Sequence, residues 1–335
     1  YGPWFDDTMR AGHGENRAES VDTMIWSSRD IINDLIRRGV SFDKREDGRL
    51  AYTREGAHSR PRVLHHADDT GREITTTLLA RALELPNLRL LEWHTMVDLL
   101  VSDEGGCEGV VCRTRGDDVL AIRATDTILA AGGVGGLYER STNFSCMTGD
   151  ACRICKEHGI TLEHMDYVQF HPTSLYTGST GRAFLISESC RGEGAILLNA
   201  KGERFVDELQ PRDVVSAAVY RQMREDGLPF VRLSFERIPR GVTCRHFHNI
   251  RERCLEKGYD ICEGPIPVAP AQHYLMGGIL VDQDSRSSME HLYAVGETSC
   301  SGVHGRNRLA SNSLLESLVF SRLAARDIVR RRHRA

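Results

Sequence analysis

The 335 residues allow two domains and a sizeable core, and 40% hydrophobic with 27% charged residues is ordinary globular composition. A net charge of -4 gives no reason to expect a nucleic-acid binder, and no apolar run nears the ~20 residues that span a bilayer. Ten cysteines lie scattered without the spacing of a disulfide framework, which suits a reducing cytoplasm.

The chain starts at Tyr1 and ends in RRRHRA, and both ends have the look of cuts, so a truncated chain is expected. Residues 19–41 place Val21, Met24, Ile25, Ile31, Ile32, Leu35 and Ile36 at largely helical spacing, with Gly39 as a stop. LRLLEW and MVDLLVSD have strand character, and GCEGVVCRT continues a meander. ATDTILAAGG (124–133) is a short apolar run closed by glycines, the pattern of a buried strand. GDACRICKEHG has helical character, with Gly159 beyond its end.

The segment 165–275 is rich in loop-forming residues, and strands return after it. From Leu314 a helix is expected, with Ser313 and Glu316 as a capping box. This order predicts an α/β domain from residues 1–164 and 275–335, interrupted by a smaller capping domain at 165–274.

Several short stretches carry charge in suggestive places. QFHPT sets His171 before a proline-fixed turn, and SESCRGEGA gathers Ser187, Glu188 and Arg191 near a glycine-rich turn. QPRD puts Arg212 at a helix start, AQHYLMGG sets His273 against two glycines, and HGRNRLASNS brings Arg308 to another helix start. A helix N-terminus attracts anions, and arginines beside it strengthen the same field. Each residue alone has a plainer reading as a satisfied polar group or a surface ion pair. AAGGVGG (130–136) fails the G-x-G-x-x-G spacing because position 138 is Tyr, and that fingerprint is absent from the chain. No metal site is expected: the Cys152/Cys155 pair has no second pair, and CRHFH with Cys254 matches no standard zinc spacing.

Taken in order, TREGAHSRPRVLHHADDTGREI, QFHPTSLY, SESCRGEGA, QPRD, PAQHYLMGGI, LYAVGE and HGRNRLASNSLLES resemble the aspartate-oxidising branch of the fumarate reductase/succinate dehydrogenase flavoprotein family. The resemblance runs from about residue 5 to 330. It implies an incomplete FAD-binding, Rossmann-like α/β domain with an inserted α+β cap. It also implies non-covalent FAD and oxidation of L-aspartate to iminoaspartate, the first step of de novo NAD biosynthesis, with oxygen or fumarate as acceptor. Quinolinate synthase would be the next enzyme, in the cytoplasm, with no nucleic acid and no membrane involved.

By matching motifs, the resemblance assigns catalysis to Arg212, His171, His273 and Glu55, with Arg212 as proton donor in the fumarate-reducing direction. Substrate binding falls to Arg308, Ser187, His171 and His273, and Glu55 would stand near the substrate amino group. Val97, Asp150, Glu297, Ser313 and Leu314 would contact the cofactor. The sequence departs from the family pattern at Arg306, Ala151 and Ser187, where a small residue, glycine and threonine are usual, and Arg306 is expected to crowd the pocket. A fumarate reductase or succinate dehydrogenase type of activity is the alternative, and a fragment that does not bind FAD is a second one.

Overall fold

The computed structural model describes residues 1–67 and 69–333. Three helices open the chain, α1 (Gly2–Ala11), α2 (Ala18–Arg38) and α3 (Thr70–Leu83). Helix α2 buries Val21, Met24, Ile25, Ile31 and Leu35, as their spacing predicts, while Ile36 is exposed. Gly39 ends it at φ 104°, a conformation that costs a side chain strain but not glycine.

Strands β1 (His94–Val101), β2 (Cys107–Thr114) and β3 (Val119–Arg123) form the expected antiparallel meander. LRLLEW lies outside it: the strand begins only at His94, and Leu88, Leu90, Leu91 and Trp93 are exposed, so these apolar residues found no sheet to bury against. The run 124–133 gives only the short strand β4 (Thr127–Leu129). It is followed by β5 (Arg140–Ser141), helix α4 (Asp150–Glu157) and β6 (Leu162–Glu163). Helix α4 packs Ala151, Cys152, Ile154 and Cys155 into a core shared with Leu99 of β1.

The segment expected to be loop-rich is instead densely ordered. It holds β7 (Val168–Leu175), β8 (Gly181–Arg182), α5 (Glu188–Gly192), β9 (Ile196–Leu198), α6 (Arg212–Asp226), β10 (Val231–Ser234), α7 (Arg240–His246), α8 (His248–Leu255) and β11 (Ile266–Leu275). Its glycines and prolines punctuate short elements rather than dissolve them. The sheet runs β8-β5-β11-β10-β9, with β7 also paired to β11, so only the two-residue β5 enters from outside 168–275. Leu197, Val215, Val219, Leu233 and Val268 fill a core on this sheet. QFHPT is strand, not turn: Pro172 lies inside β7, where the register with β11 slips beside Pro270. Two prolines that cannot donate sit together at one irregularity of the ladder.

Strands β12 (Gly278–Leu280), β13 (Leu292–Ala294) and β14 (Ser299–Cys300) return to the first part of the chain, β12 beside β6 and β14, β13 parallel to β4. Helix α9 (Asn312–Arg332) closes the chain against α2, burying Leu315, Val319 and Phe320. The capping box is not formed. Ser311 is the N-cap, at φ 66° and without a side-chain cap. Glu316 is instead buried, accepting from Ser301 Oγ and, at 3.1 Å, from Tyr274 Oη.

Candidate functional site

Strands β7 and β11 lie side by side in the cap sheet and carry the two histidines. Residues two apart on a strand share a face, which sets Gln169 beside His171. The pairing of His171 with Ala271 brings His273 close, and the imidazoles meet at 5.1 Å between ring centres, inclined by 64°. His171 is fully buried; Thr173 occupies its Nδ1 side, and Nε2 has no hydrogen-bond partner among the described residues. Thr142 Oγ1 lies 2.7 Å from His273 Nδ1. Burial first, and then the charge of Arg212, hold both imidazoles well below the ordinary histidine range. Both are neutral near pH 7, able to hydrogen-bond a carboxylate without adding charge.

The positive charge comes from arginines. Arg212 is the first residue of α6, where Pro211 starts the helix as the sequence predicts. It donates from Nε to Glu188 Oε2 at 2.5 Å and from Nη1 to Gln169 Oε1 at 2.9 Å. Arg308 donates from Nε to that same Gln169 oxygen at 3.3 Å, and from Nη1 to Ser313 Oγ. Its guanidinium stands 4.4 Å from the Tyr274 ring centre. Among the described residues no carboxylate forms an ion pair with Arg308, although its side chain is buried. Burial and then Arg212 lower its pKa to about 10. Arg191, wholly buried, lies 3.7 Å from Glu188 Oε1. Burial alone would raise the Glu188 carboxyl, but Arg212 and Arg191 outweigh it and hold it low.

Glu55 sits on a turn against this group. Its Oε2 accepts from Ser311 Oγ at 2.7 Å. Desolvation, then the neighbouring Glu188, push its pKa up. The turn fits because residue 56 is glycine: a Cβ there would fall 2.2 Å from Glu188 Oε1. Beside it His58, also buried, has Nε2 3.0 Å from Ala310 O and Nδ1 2.9 Å from Arg62 Nη1. Arg62 in turn reaches Asp7 at 2.7 Å, so α1 is tied to the start of α9 through one histidine.

A cavity of about 1190 Å³ opens onto these side chains. Glu55, His171, Ser187, Arg212, His273, Arg308, Ser313 and Leu314 all line it, though they come from distant parts of the sequence. Ser187 caps α5 by accepting the Ser189 N–H. Three other predicted residues do not line the cavity. Glu297 packs against Gly133, where a Cβ would stand 2.2 Å from its Oε1, and accepts the Leu275 N–H at 2.9 Å. Asp150, exposed, follows Gly149, which abuts Val134. Val97 lies in β1, at the slip in its register with β2 and on the strand that packs against α4. Glu297 and Asp150 thus flank the glycine loop 132–136 rather than the arginines. Arg306 does not crowd the pocket: it is exposed, over the Tyr167 ring at 5.6 Å and 3.8 Å from Glu15.

Sequence reasoning passed over Gln169, His58 and Tyr274. Gln169 stood inside the quoted QFHPT and His58 inside TREGAHS, and neither residue type signals chemistry until its partners are known. Glu188 was noticed in its motif, but its place between two arginines was not.

The residues present fit the ring end of FAD. The N-terminus of α9 lines the cavity with Ser311, Asn312, Ser313 and the 41%-exposed Leu314. Amides at a helix start suit the electron-rich edge of a flavin, and an exposed leucine suits a flat apolar ring. The cavity exceeds what a four-carbon diacid fills. No G-x-G-x-x-G pyrophosphate cradle occurs in the 335 residues.

Comparison with known proteins agrees with this geometry. Residues 3–314 match the family model described as FAD binding domain. An L-aspartate oxidase from Clostridium acetobutylicum is 46% identical over 96% of this chain and 74% of its own length. One from Clostridium perfringens is 47% identical, over 97% and 74%. A mutant of quinol fumarate reductase from E. coli superposes with a TM-score of 0.89 at 33% identity, over 96% of this chain and 59% of that one. The chain therefore spans about three quarters of the clostridial relatives and about three fifths of the fumarate reductase chain. The fold and the site define a flavin-dependent oxidoreductase of the α/β FAD-binding class. Within that class, the chain belongs to the L-aspartate oxidase family. No described helix is long and apolar enough to cross a membrane.

Proposed function

We propose that this protein oxidises L-aspartate to iminoaspartate, with oxygen or fumarate as electron acceptor, in the cytoplasm. The observation that carries the reading is Arg308, a buried guanidinium that among the described residues forms no ion pair with a carboxylate, beside a second buried arginine. Buried charge of one sign calls for a ligand of the other. Two arginines held a fixed distance apart suit the two carboxylates of a small diacid.

FAD, when bound, supplies the hydride acceptor; its non-covalent attachment is inferred from the resemblance alone. Ser311, Ser313 and Leu314 would hold its ring end, and Glu297, Asp150 and Val97 the remainder. Arg308 takes one substrate carboxylate. Arg212, His171, His273 and Ser187 take the other, and together they hold the substrate Cα still. Glu55 removes a proton from the substrate ammonium, since a carboxylate whose pKa is raised is a better base. In the fumarate-reducing direction Arg212 gives the proton. Iminoaspartate is then available to quinolinate synthase.

The test is amine chemistry. The protein, loaded with FAD under air, is expected to convert L-aspartate to an imine that hydrolyses with release of ammonia. Succinate oxidation without reaction on aspartate would instead favour a succinate dehydrogenase type of activity.

A further inference from the structure

Outside the cavity the structure brings two thiols into direct contact. Cys244 lies in α7 and Cys262 in the loop before β11, and their sulfurs stand 2.7 Å apart. Both are partly exposed, so a small oxidant can reach them. The surrounding groups fix this geometry. Arg251 holds Asp260 through two contacts, Nε at 2.9 Å and Nη2 at 2.7 Å. Asp260 in turn accepts the Cys262 N–H at 2.9 Å. The loop carrying Cys262 is therefore pinned by an ion pair, and the side carrying Cys244 is anchored by Phe247 in the cap core.

We propose that Cys244 and Cys262 are a modification site: hydrogen peroxide oxidises them to a disulfide that ties α7 to the loop before β11. Cys152 and Cys155, by contrast, are buried, away from an oxidant in solution. Cys146 is exposed, in the segment before α4.

The chemistry balances with peroxide as the only co-reactant. The Cys244 thiolate attacks one peroxide oxygen; an S–O bond forms, the O–O bond breaks, and the leaving hydroxide takes up a proton to give water. The Cys262 thiolate then attacks that sulfur; the S–S bond forms, the S–O bond breaks, and a second water leaves. Two thiols lose two electrons and peroxide gains them. That peroxide arises at this protein's own site rests on the proposed use of oxygen as acceptor, but the thiol pair itself does not.

The cross-link has a route to the cavity. The end of α7 supplies Arg245 and His246 to the cavity wall, and His246 Nδ1 lies 3.1 Å from the Glu193 carboxylate on the same wall. A bond at Cys244 restrains the helix that carries them.

The experiment uses the full chain, reduced, desalted, exposed to added hydrogen peroxide and then alkylated. Peptide mapping without reductant is expected to show the 244 and 262 peptides joined, with the link removed by dithiothreitol. In Cys262→Ser the sulfenic acid at Cys244 has no partner, so dimedone labelling there should rise several-fold over the unchanged protein. The map of the unchanged protein needs no variant to fold. Oxidation at Cys146 with no 244–262 link would overturn the proposal, as would dimedone labelling of Cys262→Ser no higher than that of the parent. Because peroxide is added directly, failure of the aspartate reading leaves this result untouched.

Discussion

Residues 168–275 fold around their own sheet and a continuous apolar core, whereas the cofactor side of the molecule exposes Leu90, Trp93, Ile128 and Leu137. Its strands β4 and β13 form a sheet of only two strands. Two glycines make the same contrast at close range. Gly56 and Gly133 each leave room for a carboxylate oxygen that a Cβ would approach to 2.2 Å. Beside Gly56 the carboxylate, Glu188, is charged and locked between arginines. Beside Gly133 the carboxylate, Glu297, is pushed up to about 7, chiefly by burial. The arginine cluster is thus fixed by ion pairs within the chain, and the glycine loop 132–136 by packing around Glu297.

The comparison breaks most directly at Arg308. Arg308→Met keeps length but removes a buried charge that forms no ion pair with a carboxylate among the described residues. Losing one member of a buried ion pair costs about 3–5 kcal/mol, so kcat/KM for aspartate should fall by roughly 10²–10⁴. Steady-state kinetics on the FAD-loaded protein measure it, and a fall under tenfold would move the carboxylate clamp elsewhere.

Glu55→Gln sharpens the substrate side further. It keeps shape and removes basicity, worth about 1.5–3 kcal/mol, or roughly ten- to a hundredfold on aspartate oxidation. Fumarate reduction needs no amine contact and should survive. Equal loss in both assays would make Glu55 a support of the site rather than the group that meets the amine.

The glycines separate the two sides. Gly56→Ala and Gly133→Ala should each cost about 1–3 kcal/mol through overpacking. Gly56→Ala should lower turnover by displacing Glu188 from Arg212, with FAD affinity retained. Gly133→Ala should weaken FAD binding, read by flavin fluorescence, with a smaller effect on turnover at saturating FAD. Identical phenotypes would erase the distinction.

The smallest effect is on pH. Glu297 has a folded pKa near 7, above its unfolded value, so the folded protein binds the extra proton. Stability from this group is complete at low pH and declines as pH rises from the unfolded value through about 7. Glu297→Gln keeps an acceptor for Leu275 and removes the titration. Thermal melts should show a flatter profile between pH 5 and 8, with the gain greatest at the alkaline end. An unchanged slope would assign it to other groups.

Much of this was legible in the sequence, and unevenly so. The stripe of α2 and the proline start of α6 followed from local rules, because spacing and caps are local facts. The short motifs around His171, His273, Arg212 and Arg308 identified residues that meet in one cavity. What the sequence hid was partnership. Ser313 and Glu316 had the spacing of a capping box, but Glu316 gained more from buried hydroxyls than from the helix end. LRLLEW had the composition of a strand without a neighbouring strand to pair with. Gln169 offered no signal, since an amide matters only through what it joins.

That amide sets a length. One oxygen of Gln169 accepts from both Arg212 and Arg308, so the two guanidinium groups cannot move apart without one losing its acceptor. The same side chain is tethered at its nitrogen to Asn307 and to the Arg308 carbonyl, each at 2.8 Å. The arrangement works as a caliper with a locked jaw. A diacid one methylene longer than aspartate is expected to fit this spacing less well, so that chain length would be discriminated by a residue that need never touch the substrate.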